Sequence, residues 1–132
     1  MNNSISYIKV KLSQVRLMSL MEIRAFLLQK INIEEFNRDD RKIIKDICMI
    51  MAEVLKLSPK AEIRIGKEQL PAEMVQEIYL MIDERHIWNV LEKFKKIDYV
   101  INAKKTYIRT AVYNSFFELE LNEENNFNAG EF

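Results

Sequence analysis

The chain is poor in the residues that punctuate and cross-link a fold: its 132 residues hold two glycines, two prolines, one cysteine and one histidine. With so little Gly and Pro, sandwiches and barrels lack the turn residues that their many hairpins need. A lone Cys48 forms no internal disulfide. One His and one Cys make no zinc spacing, and the carboxylates follow no calcium-loop pattern. Neither Gly66 nor Gly130 belongs to a Gly-rich phosphate loop. A signal-peptide pattern is missing at the start, and no apolar run has transmembrane length. The expectation is therefore a chain of a reducing, cytoplasmic setting with no membrane association, no cofactor and no metal.

What is present favours one helical domain. Hydrophobic residues make up 48% and charged residues 30%, the balance of a chain that folds around a core. Lys plus Arg and Asp plus Glu are both 20, so net charge says nothing about partners and its distribution matters more. Up to Arg16 the chain carries Lys9, Lys11 and Arg16 and no acid, whereas from Glu118 onward it carries only acids.

Periodicity supplies the elements. Ile8, Val10 and Leu12 alternate with Lys9 and Lys11, so residues 1–20 read as an N-terminal extension holding a strand or the start of a helix. The spacing of Leu17, Leu20, Met21, Arg24 and Leu28 predicts one helix from Gln14 to Lys30 with these residues as its apolar stripe. Asn37 and Asp39 are the candidate caps before Ile43, Ile44, Ile47, Ile50, Met51, Val54 and Leu55, an amphipathic helix that stops before Pro59. Ile63 and Ile65 alternate with Glu62 and Arg64 ahead of Gly66, which predicts a short β-hairpin between the second and third helices. Pro71 opens a third helix on Val75, Ile78, Tyr79 and Ile82. Asp83 caps a fourth on Ile87, Val90, Leu91, Phe94 and Ile97, and Asn102 a fifth on Ile108, Ala111, Val112, Ser115, Phe116 and Leu119. The predicted architecture is all-α, a compact bundle of about five helices with that hairpin. Its core centres on Ile47, Met51, Val75, Ile78, Leu91, Phe94, Ile108 and Val112, with the acidic residues 121–132 as a fraying tail.

Chemistry has few residues to stand on. A nucleophile-and-base pair would have to use His86, the only histidine, yet no nucleophile motif surrounds a serine and Cys48 sits on the most apolar helix. His86 reads instead as a helix-start residue beside Asp83 and Glu84, and Cys48 as a small buried hydrophobe. The seven methionines read as core packing. No catalytic residue is assigned, and the chain is read as a binding protein. From Arg85 to Arg109 seven bases face two acids, with Trp88, Tyr99 and Tyr107 interleaved. Lys95, Lys96, Lys104, Lys105 and Arg109 are the candidate nucleic-acid or partner contacts, the alternative being the solvated faces of two helices.

Four stretches in order carry a resemblance: IEEFNRDDRKIIKDICMIMAEVL from Ile33, EIRIGKEQLPAEMV from Glu62, HIWNVLEKF from His86 and NAKKTYIRTAVYN from Asn102. Together they resemble the C-terminal domain of RepA-type replication initiators of Gram-positive plasmids and conjugative elements, a domain similar to the helical C-terminal domain of the primosome protein DnaD. The resemblance covers roughly Met21 to Phe117, so the DnaD-like helical domain is placed at residues 21–120. It implies a replication-initiation adaptor that contacts a helicase, helicase loader or primase, with weak non-specific DNA affinity. Such initiators carry an N-terminal winged-helix domain, and nothing of that size fits before Met21, so origin recognition is not expected of this chain. The alternative is a mobile-element protein that binds and inhibits a host nucleic-acid machine or defence effector.

Overall fold

The computed structural model describes residues 12–96 and 104–130, with side chains at 12–96 and 105–121. Along these residues run α1 (residues 12–16), α2 (Leu20–Lys30), a 3-10 turn at Ile33–Glu35, α3 (Arg38–Leu55), β1 (Glu62–Ile65), β2 (Glu68–Pro71), α4 (Ala72–Leu80), α5 (Glu84–Lys95) and α6 (Lys104–Gly130). The fold is helical with one small antiparallel hairpin between α3 and α4.

The centre is α3, because its apolar residues recur every three to four positions and give it a wide face to bury. Ile44, Ile47, Met51, Val54 and Leu55 are buried there, and α2, α4 and α6 pack around the helix. It starts where Asn37 Oδ1 accepts the Asp40 N–H at 2.8 Å, satisfying one of the donors a helix start leaves open. In the hairpin Ile63 faces Leu70 and Arg64 faces Gln69, so alternation turns Ile63 and Ile65 into the core and Glu62 and Arg64 outward. Gly66 turns it at φ +61°, a left-handed conformation that glycine adopts without steric cost, and donates its N–H to Thr110 Oγ1 of α6 at 2.9 Å.

Two buried polar side chains tie helices together. Gln76 Nε2 donates to the carbonyls of Val54 and Leu57, each at 2.9 Å, while its Oε1 accepts from Arg16 Nη2 at 2.9 Å. One amide thus pins α4 to the end of α3 and to α1, adding to the Leu57 N–H that the Val54 carbonyl already accepts. Tyr79, fully buried, donates its hydroxyl to the Arg109 carbonyl at 2.8 Å and links α4 to α6.

The structure corrects the sequence reading in three places. At residues 1–20, read as a strand or the start of a helix, Leu12 is buried in α1; Ile8 to Lys11 lie outside the described residues, as does the Asn102 cap. The single helix expected from Gln14 to Lys30 is broken at Leu17–Ser19. Ser19, at ψ 164°, accepts the Glu22 N–H on its hydroxyl at 3.1 Å while its own N–H donates to the Glu22 carboxylate at 2.8 Å. This reciprocal capping box restarts the helix and resets which face looks inward. Ile23, Leu27 and Ile31 become the buried set, and Leu17, Leu20 and Met21, the expected inner stripe, are turned out. Of the eight predicted core residues, Ile78 and Phe94 are only half-buried, because they stand at the margins of their helix faces. Finally, past Leu121, where the sequence reads as a tail, the backbone is helix to Gly130, since extending a formed helix costs far less than nucleating one.

Candidate partner-contact surface

Of the five basic residues proposed from the sequence, Lys95 and Lys105 lie apart. Lys95 Nζ lies 3.4 Å from the Asp40 carboxylate at the start of α3, and Lys105 Nζ lies 3.2 Å from Glu53 near its end. Asp40 and Glu53 are thirteen residues apart, about 20 Å along the helix and on different sides of it. Lys95 and Lys105 are therefore held far apart, each already beside a carboxylate. Lys96 is exposed at the C-cap of α5. Arg109 is half-buried, and its Nε is shut from solvent with no hydrogen-bond partner among the described residues. The Lys104 side chain lies outside the described residues.

The residues with chemical potential are taken up by the fold. His86 is buried at the third position of α5, where its Nδ1 accepts the Asp83 N–H at 3.0 Å and completes a second capping box. Its ring stacks on Phe116 with centroids 5.6 Å apart. Burial pushes the Asp83 carboxyl up, but hydrogen bonds from Arg85 and the nearby His86 pull it further down, leaving it below the usual aspartate range. Cys48 is buried in α3, and desolvation pushes its thiol up to about 12, which keeps it a neutral, weakly reactive group. No cluster of His, Cys, Asp or Glu among the described residues is placed to hold a metal ion.

What remains open is apolar. Leu17 is 88% exposed, Met21 58% and Leu20 38%, so three large hydrophobes stand out within five residues of the α1–α2 corner. Their backbone is held firmly. Lys56 Nζ donates to the carbonyls of Arg16 and Met18 at 3.1 and 2.9 Å, the Arg16 side chain is bound by Gln76, and Ser19 and Glu22 cap each other. A second opening, a cleft of about 380 Å3, separates the hairpin tip from α6 and is lined by Ile65, Leu70, Met74, Thr110 and Tyr113. Burial, and then the Glu68 carboxylate, push the Tyr113 hydroxyl at the edge of this cleft above its usual range. Sequence periodicity missed both openings. The Ser19-x-x-Glu22 signature was readable and would have turned the corner residues outward; the cleft joins segments 44 residues apart and left no local signal.

Residues 12–124, from α1 into the last turns of α6, match the family described as "Family of unknown function (DUF6017)". No curated protein matches the chain. No solved structure matches it. Among the described residues no helix is long and apolar enough to cross a membrane.

Proposed function

Because the chain belongs to the DUF6017 family, whose description assigns no activity, we propose its function from its surface: it is a non-catalytic adaptor that works by holding a protein partner at the α1–α2 corner. The observation that carries this is the exposure of Leu17, Leu20 and Met21 on a backbone fixed by Lys56, Gln76 and the Ser19–Glu22 box. Clustered large apolar side chains cost solubility and are characteristic of contact sites. A fixed backbone removes much of the ordering entropy that binding otherwise has to overcome.

The partner class follows the resemblance to RepA-type and DnaD-like domains: a cytoplasmic helicase, helicase loader or primase of a Gram-positive host, met during replication of a mobile element. DNA contact is secondary, because phosphate would have to displace Asp40 from Lys95 and Glu53 from Lys105. Any such binding is weak, indifferent to sequence and lost steeply as salt rises.

Biolayer interferometry of the chain against purified helicase, loader and primase tests the proposal. One of them should bind, and Leu17→Ser with Met21→Ser should abolish binding while the melting temperature stays within the small range of surface substitutions. Binding only to a host defence effector would replace the replication reading with the inhibitor reading. Undiminished binding by the double variant would remove the corner as the contact site.

A further inference from the structure

We propose that the outer face of α6 pairs two copies of this chain, with the two helices antiparallel about Phe117. Tyr113, Phe117 and Leu121 recur every fourth residue and so form one stripe along the helix. The other side of α6 looks inward, with Ile108, Val112 and Ser115 buried. The stripe looks out: Phe117 is 47% and Leu121 58% exposed, and the Tyr113 and Phe117 rings lie together, centroids 5.2 Å apart. Asn89 and Lys93 of α5 meet Glu118 of α6. Since α5 begins only five residues before Asn89, α6 outruns it by about two turns.

Charge selects a second copy running the other way. All three bases of α6, Lys104, Lys105 and Arg109, lie in its first six residues, and all four acids, Glu118, Glu120, Glu123 and Glu124, lie beyond Phe117. A parallel copy would set like charges together. An antiparallel copy sets the basic end of each helix against the acidic half of the other and opposes the two helix dipoles. With a two-fold axis at Phe117, Tyr113 faces Leu121 of the second copy. The turn carrying Arg109 then faces the turn carrying Glu123 and Glu124. Lys105 and Glu118 are already engaged within the chain, by Glu53 and Lys93 respectively. Arg109, half-buried and with no hydrogen-bond partner for its Nε among the described residues, is the base that this register sets against that turn. The surface shares no residue with the Leu17–Met21 corner.

Sedimentation velocity on the full chain tests the pairing, with circular dichroism checking the fold of each variant. The wild-type chain should show a concentration-dependent monomer–dimer equilibrium, and Phe117→Ser should raise the dissociation constant by about tenfold or more. Arg109→Glu and Glu124→Arg should each weaken the dimer. Mixing these two variants should restore it, because both cross-helix contacts then pair opposite charges. A two-fold axis brings residue 117 beside itself, so Phe117→Cys should form a disulfide-linked dimer on mild oxidation, whereas Ala25→Cys, exposed on α2, should not. A chain that stays monomeric up to its solubility limit overturns the proposal. So does a dimer that Phe117→Ser leaves unweakened, or a variant mixture that stays monomeric.

Discussion

Two neighbouring helices, α2 and α3, use their apolar residues in opposite ways. Half of the 18 residues of α3 are buried, and its hydrophobes are spent inside the molecule. Of the 11 residues of α2 only Ile23 and Leu27 are buried, while Leu20 and Met21 at its start face outward. Both helices begin with a side-chain cap and both pack in the same core. The difference shows that hydrophobic content alone does not set a helix's role; what decides is whether the start of the helix fixes the rotation that turns the apolar face inward. In α3 the Asn37 cap agrees with the stripe that follows. In α2 the Ser19–Glu22 box sets a rotation that spares one face for contact.

The largest expected effect would break this comparison if it failed to appear. Ile47→Ala in α3 removes a fully buried side chain and should cost about 2 to 5 kcal/mol in chemical denaturation. Leu17→Ala at the corner should fall within about 0.5 kcal/mol of wild type. Equal losses at the two sites would mean that the corner is core after all. A middle-sized effect sharpens the contrast: Ser19→Ala should cost about 1 kcal/mol. It should also speed hydrogen exchange at the Glu22 amide, which donates to the Ser19 hydroxyl, while the amides inside α3 keep their protection. Unchanged exchange at Glu22 would show that packing, not the cap, sets where α2 begins.

The smallest effect concerns the other capping box, at Asp83. Its carboxyl sits below its unfolded value, so its contribution is fully present above about pH 4 and is lost as pH falls through the lower folded value. Asn also caps helices well, so Asp83→Asn keeps the cap and removes the charge. Wild type should exceed this variant slightly near neutrality, and the gap should close as the solution becomes strongly acidic. A gap that widened on acidification would contradict the sign.

Much of the fold was legible in the sequence. In α3, α4 and α5 the caps, the apolar period and Pro59 or Pro71 agree with one another, and the Ile63–Ile65 alternation ending at Gly66 marks the hairpin. His86 was readable as a helix-start residue, because an acidic cap stood three positions before it. Where local signals conflicted, the reading failed. The stripe from Leu17 to Leu28 has helical spacing across a Ser19 that stops the helix, so periodicity and the cap point to different faces. The distance between Lys95 and Lys105 was illegible for another reason. Lys95 and Lys105 are close in sequence, but their partners Asp40 and Glu53 sit towards opposite ends of α3, which no local pattern reports. Gln76 was missed because a glutamine in an apolar helix gives no sign that it will bind Val54, Leu57 and Arg16 at once.

The bond from the Gly66 amide to Thr110 also bears on how the chain is made. The two residues are 44 positions apart, and ribosomes add about 5 to 20 residues per second, so the hairpin tip leaves the ribosome about 2 to 9 s before its partner. During that interval the α3 side chains awaiting Ile108 and Val112 have no cover from α6. Apolar surface left bare in this way is prone to aggregation, so the order in which the segments leave the ribosome sets an interval in which α3 is exposed to its neighbours.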